Sequence, residues 1–248
     1  MIFMVNEKFR YDGFVLEYEP ILHYYGLVEN YLLDIYHTGL IKPDDIVVDL
    51  GAGIGDFAIK AMRRAKNVIA LEPNQQDFDL LLKNLRANGC QNVVALDMGV
   101  ASKAGMKQIT YQGRTYSFKV ETLTAILQQQ DISKVDFIKL DIEGYETEVI
   151  ESSIEIIKQT RLIAIELHGT KKSIDTMLLP LGFKFVPLTR GYIYRKVLAQ
   201  LIGHPHLLLS AYKRLKQINP EIGSKMVSGR GPDIVSNESG LVVGIYVR

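Results

Sequence analysis

Val47 to Phe57 reads VVDLGAGIGDF. Ile46–Leu50 is a short, apolar, β-branched run, the composition of a strand buried on both faces of a parallel sheet. Gly51, Ala52 and Gly53 then turn the chain, and Gly55 precedes an expected helix to about Arg64. Glycine permits a sharp turn and lets a ligand lie close to the backbone. The helix N-terminus beyond it favours anionic groups. The dinucleotide fingerprint is G-x-G-x-x-G. Here the run is G-x-G-x-G-D, with Asp56 in the place of the third fingerprint glycine. Asp49 stands two residues before the loop. A carboxylate so close repels a pyrophosphate and suits an amino group or a sulfonium cation, so the loop favours S-adenosylmethionine over NAD.

Outward from this loop the same alternation continues. VIALE, Val68 to Glu72, is a second buried strand, and Glu72 follows Gly55 by 17 residues. A carboxylate at that strand end can accept hydrogen bonds from two ribose hydroxyls. Pro73-Asn74 opens a helix whose stripe is Phe78, Leu81, Leu82 and Leu85, closed by Gly89. Further strands are expected at Asn92–Asp97, Val135–Asp141, Leu162–Leu167, 183–188 and 241–247, with helices at about 121–129, 145–158 and 174–179. Residues 98–120 read as loop and strand pieces. This period predicts an α/β fold, a doubly wound, mostly parallel sheet with helices on both faces and right-handed crossovers.

Ligands of such sheets sit beyond the carboxyl ends of the strands. Asp141, Glu143 and Glu146 follow one strand, and Glu166 with His168 ends the next, so one crevice can gather all five. His168 titrates in the useful range and is the expected general base for a hydroxyl acceptor. Asp141 is next, either placing the acceptor or ligating a metal. Oxygen-rich carboxylate clusters suit Mg²⁺, although no ligand spacing here is diagnostic. Glu146 reads as a helix N-terminal carboxylate that complements the dipole. Asp97 ends the third strand.

Four motifs in order resemble the FkbM family of class I S-adenosylmethionine-dependent methyltransferases. They are DLGAGIG at Asp49–Gly55, the Glu72-Pro73 acid, KLDIEGYE at Lys139–Glu146 and IELH at Ile165–His168. The resemblance covers about Lys42 to Leu188 and the last strand. It implies a Rossmann-like methyltransferase fold of seven strands with the last one antiparallel. It also implies methyl transfer, often to a hydroxyl of a sugar or other natural-product scaffold, and an adenine contact near Asp97. The alternatives are an RNA methyltransferase, an NAD-dependent oxidoreductase, against which Asp56 speaks, and a non-catalytic module that binds an adenosine cofactor.

The chain has 248 residues, 47% of them apolar and 23% charged, which excludes disorder, collagen and coiled coil for the whole. The expected organisation is residues 1–45, strands and a helix from about Val28 to His37 packing on the core, then a methyltransferase domain over 46–248. That domain carries a helical cap or insertion at about 189–239. A net charge of +1 gives no global nucleic-acid signature, and no Asn-Pro-Pro-Tyr tetrad of base methylation occurs. One cysteine, Cys90, no signal-peptide pattern and no long apolar run point to the cytoplasm. From Thr176 to Pro220 there is no Asp or Glu, but there are Lys184, Arg190, Arg195, Lys196, Lys213, Arg214 and Lys216. Helices expected at 194–202 and 206–218 make this a cap with solvated lysines, a lid over an anionic or sugar-linked small-molecule acceptor, or a membrane-surface contact through 194–218. No oligomeric state follows from the sequence.

Overall fold

A computed structural model describes residues 6–111, 114–218 and 241–248. The chain opens with an antiparallel hairpin, β1 (Glu7–Tyr11) and β2 (Phe14–Tyr18). Next comes α1 (Pro20–Leu27), which starts where Glu19 accepts hydrogen bonds from the Ile21 and Leu22 N–H groups and Pro20 occupies the first turn. α1 runs into a π-turn, Val28–Leu33, which ends at Asp34 in the left-handed conformation, φ 52°. The helix expected at 28–37 is therefore displaced toward the N-terminus, because the Glu19–Pro20 cap sets its start.

The core follows as β3 (Ile46–Leu50), α2 (Asp56–Met62), β4 (Asn67–Leu71), α3 (Gln75–Ala87) and β5 (Val93–Leu96). Residues 98–120 form a separate three-stranded sheet from β6 (Gly99–Val100), β7 (Gly105–Tyr111) and β8 (Arg114–Glu121). Then come α4 (Leu123–Gln129), β9 (Phe137–Leu140), α5 (Glu146–Ser152) and α6 (Ile154–Ile157). The single helix expected over 145–158 is thus broken at Ser153, whose φ of −114° and ψ of 20° leave the helical region. The chain closes with β10 (Leu162–His168), α7 (Lys171–Leu178), β11 (Lys184–Pro187), α8 (Arg190–Gly203), α9 (Pro205–Ile218) and β12 (Leu241–Val247).

The main sheet has the order β11-β12-β10-β9-β3-β4-β5, with β12 antiparallel to both its neighbours. Alternation along each strand sends successive side chains to opposite faces. Val47, Val68 and Phe137 join the layer of α2, α3 and the N-terminal segment; Val48, Ile69 and Ile138 join α4, α5 and α7. Asn30 donates to Asp56 Oδ2 at 2.8 Å and so ties the π-turn to the start of α2.

The acid-free stretch finds its acids in the N-terminal segment. Asp34 accepts from Lys196 at 2.8 Å and from Lys60 of α2 at 2.6 Å. Tyr192 donates to the Asp34 carbonyl at 2.8 Å, Gln200 donates to the Tyr11 hydroxyl at 2.9 Å, and Arg214 pairs with Glu7. These contacts pack α8 and α9 against β1, α1 and the π-turn. The polar loop expected up to Gly240 lies outside the described residues. Among the described residues no helix is long and apolar enough to cross a membrane.

Candidate active site

From β3 the chain winds outward through β4 and β5, then returns to β9 on the other side of β3. A crevice opens at that switch point, beyond the strand carboxyl ends. Gly51, at φ 78°, forms its floor: a Cβ there would stand 2.0 Å from the Asp141 backbone oxygen. Gly53, at φ 51°, has nothing within 4 Å of where a Cβ would stand, so this side of the turn is open. Glu72 is 7% exposed and closes the loop from the next strand. Its Oε2 accepts the Gly53 N–H and its Oε1 the Asn74 N–H, both at 2.7 Å. Burial pushes its pKa up to about 7 against these two donors.

The cleft above the loop has a volume of about 590 Å³, within the range of small-molecule sites. Gly51, Gly53, Glu72, Asn74, Asp141 and Glu143 line it from the strand ends, Leu22 and His23 from α1, Tyr116 and Phe118 from β8. An open glycine turn, a buried carboxylate in the cleft and an aromatic wall fit an adenosine cofactor.

Asp49 does not reach this cleft. It is 0% exposed, and neither carboxylate oxygen has a hydrogen-bond partner. It lies across from Lys139 in the β3–β9 register, with the ammonium 3.3 Å from Oδ1. Lys139 donates to the Gly51 carbonyl and stands 3.7 Å from Asp141 Oδ2. Burial lowers the lysine pKa, but Asp49, Asp141 and Asp56 outweigh it and hold the ammonium charged. Asp49 and the buried Ala52 therefore support the loop from beneath. Asp97 is exposed at the end of β5, and Gly99 and Val100 line the cleft in its place.

Behind Asp141 stands Tyr36, buried and following the π-turn. Its hydroxyl lies 2.9 Å from Asp141 Oδ2 and 3.1 Å from Glu166 Oε2. A phenol has one proton, so both contacts are full hydrogen bonds only when one carboxyl brings a proton of its own. Glu166 is that group: burial, then the Asp141 charge, push it up to about 7. Glu29, on the π-turn, is raised well above the carboxylate range by burial and then by Glu166 and Asp141. π-turns recur at functional sites, and this one places both Glu29 and the chain leading to Tyr36.

His168 sits beside this cluster with Nδ1 2.9 Å from Glu146 Oε1 and Nε2 3.5 Å from Glu143 Oε2. Glu146 also accepts the Gly144 N–H at 2.8 Å and the Thr170 hydroxyl at 3.0 Å. Burial raises Glu146, yet these bonds prevail and keep it ionised. The Glu146 bond in turn raises His168 to about 9, against burial and with help from Glu143 and Glu166. At neutral pH the imidazole thus already holds its proton. Asp141, Glu143 and His168 present ligand atoms within 4.8 Å of one another. Two carboxylate oxygens and an imidazole nitrogen are not the all-oxygen set that Mg²⁺ takes.

A methyltransferase FkbM domain model matches residues 49–194, more than half of the chain. This chain belongs to the FkbM methyltransferase family. Its sequence is similar to the hexuronic acid methyltransferase AglP of Haloferax volcanii, 28% identical over 144 residues, 52% of this chain and 58% of that protein. It is also similar to the methyltransferase sdnD of Sordaria araneosa, 23% identical over 199 residues, 60% of this chain and 77% of that one. A solved FkbM methyltransferase from Methylobacillus flagellatus aligns at 19% identity with a TM-score of 0.45, covering 60% of this chain and 41% of that one. The chain spans a little over half the length of the Haloferax relative.

Membership of the FkbM family makes this an S-adenosylmethionine-dependent methyltransferase domain. The family match begins at Asp49 and so contains the loop, Glu72 and both acidic strand ends. It leaves out the segment that supplies His23, Glu29, Asp34 and Tyr36. Those residues carry no motif of their own. Lys139 did leave a signal: a charged residue in the middle of the apolar run FIKL is out of place unless a buried acid awaits it.

Proposed function

We propose that this FkbM domain methylates a hydroxyl oxygen of a sugar or sugar-like small molecule. The observation that carries the reading is the Asp141–Tyr36–Glu166 chain, a proton acceptor whose Asp141 end lines the same cleft as Glu72. Similarity to a hexuronic acid methyltransferase supports a sugar acceptor, and the His168 imidazolium offers a cation to an acceptor that bears a carboxylate.

Bound S-adenosylmethionine supplies an electrophilic methyl group on a sulfonium sulfur. Glu72 and the glycine turn would hold the ribose end of that cofactor. In the displacement the carbon–sulfur bond breaks, a carbon–oxygen bond forms, and the hydroxyl proton must leave. Asp141 takes that proton, and once Glu166 has lost its own, as it does above about pH 7, the Tyr36 hydroxyl passes one on to the Glu166 carboxylate. His168, charged and held by Glu146, orients the acceptor rather than deprotonating it.

The test is transfer of labelled methyl to a panel of uronic acids and neutral sugars. One hydroxyl acceptor should turn over, and Tyr36→Phe should lower its rate by about 10²-fold with S-adenosylhomocysteine affinity unchanged, the lower range for losing acid–base assistance. Transfer only to a base nitrogen of RNA would overturn the acceptor class. The rate should climb with pH through about 7, the Glu166 value. A climb only through about 9 would return the base role to His168.

A further inference from the structure

α8 carries its polarity inverted for a surface helix. Tyr192, Lys196 and Gln200, each four residues apart, turn toward the body, where Asp34, Tyr11 and the Leu32 carbonyl receive them. Ile193 and Val197 pack beside them on the core. The opposite face is Tyr194, Leu198, Leu201 and Ile202, which are 70%, 47%, 53% and 80% exposed. Their spacing of four, three and one makes a single stripe. Solvent-facing helix surfaces are ordinarily polar, so this stripe has the make-up of a buried one.

The rim of the stripe is cationic. Arg190 precedes Tyr194 by four residues and Arg195 precedes Leu198 by three, so both flank it; both are exposed and neither joins an ion pair among the described residues. No Asp or Glu occurs on α8 or α9 to neutralise them. We infer that the outer face of α8 docks on an anionic lipid surface. Tyr194, Leu198, Leu201 and Ile202 enter the boundary between headgroups and acyl chains, and Arg190 and Arg195 meet lipid phosphates. An apolar stripe bordered by cations is the pattern of an interfacial helix. A second copy of the chain is the poorer occupant. A two-fold contact through this face would set α8 on α8 or α9, and neither helix has an acid to pair with Arg190 and Arg195, whereas an anionic headgroup supplies one. The inference is independent of which acceptor the cleft methylates.

Flotation of the full chain with vesicles of phosphatidylcholine, with and without phosphatidylglycerol, tests it. Binding is expected on the phosphatidylglycerol vesicles and should weaken as salt rises. Leu198→Asp and Ile202→Asp should each weaken it by about tenfold or more, the fold-change that corresponds to burying such a side chain. Arg190→Gln and Arg195→Gln should each weaken it by about fivefold. These side chains face solvent, so melting temperature and S-adenosylhomocysteine affinity should stay at the wild-type values and show that the variants fold. No wild-type binding to phosphatidylglycerol vesicles, or equal binding by Leu198→Asp, would overturn the inference. So would a dimer in sedimentation velocity that Ile202→Asp abolishes while vesicle binding is absent, since that assigns the face to a second copy.

Discussion

Glu72 has two tasks in one carboxylate. It faces the cleft, and it holds the Gly53 and Asn74 amides that shape the loop. Glu72→Ala should therefore lose the ribose hydrogen bonds, about 10- to 150-fold in affinity, and loosen the turn as well. Glu72→Gln keeps one acceptor oxygen and should lose less; calorimetry with S-adenosylhomocysteine compares them. Proton linkage gives an independent check. The free carboxyl sits at about 7, and ribose hydroxyls that donate to it favour the charged form, so its pKa falls on binding. Binding near pH 6–7 should then release protons, and affinity should decline as pH drops below about 7. Calorimetry in buffers of different ionisation enthalpy measures that release, and zero release would remove Glu72 from the ribose. Gly51→Ala should abolish cofactor binding or folding, because its methyl would meet backbone, the Asp141 oxygen. Gly53→Ala has open space and should cost only the left-handed backbone penalty, roughly 1–2 kcal/mol in a thermal melt.

Among the elements, the π-turn and α8 depend on one another through Asp34. Burial alone would raise that carboxyl, but Lys60, Lys196 and Thr38 bring it down to about 2. The folded value lies below the unfolded one of about 3.9. The stability it contributes is thus complete above about pH 4 and is lost as pH falls toward 2. Asp34→Asn would leave two ammonium groups without their acid. We expect a loss on the order of 3 kcal/mol in urea unfolding, the lower end for breaking a buried pair because Lys196 is partly exposed. The variant should also lack the wild type's acid sensitivity between pH 4 and 2. An unchanged unfolding midpoint would mean that α8 is held by its apolar contacts alone.

Over the whole molecule, stability should be graded from the centre of the sheet outward. β3 has β4 and β9 as partners and both of its faces covered, with Val47, Val48 and Leu50 fully buried. The β7–β8 hairpin belongs to a small separate sheet and shows exposed positions such as Met106. Native-state hydrogen exchange should show the β3, β9 and β10 amides opening only with global unfolding, and the β7–β8 amides opening earlier. Equal protection in both sheets would mean that they unfold as one unit.

The seven strands of the main sheet, the glycine turn and the acids at the strand ends were legible in the chain because each is a local fact. A buried parallel strand must be continuously apolar, a sharp turn against backbone needs glycine, and a carboxylate at a strand end lies at the crevice wherever the sheet forms. The roles within the crevice were not legible, because they depend on neighbours far apart in sequence. Tyr36 meets Asp141 and Glu166 across 105 and 130 residues. His168 exchanges its apparent suitability as a base for a firmly held proton only once Glu146, 22 residues before it, closes on Nδ1. Asp49 adjoins the loop in sequence, yet the pleat of β3 turns its side chain under the loop toward Lys139 rather than into the cleft. The basic run after Thr176 looked like one patch, but folding set Lys196 and Arg214 on acids from the first 34 residues and left the apolar stripe of α8 outward. A residue's type fixes which protons and charges it can carry; which of them it does carry follows from desolvation and from partners that only chain folding brings within a few ångströms.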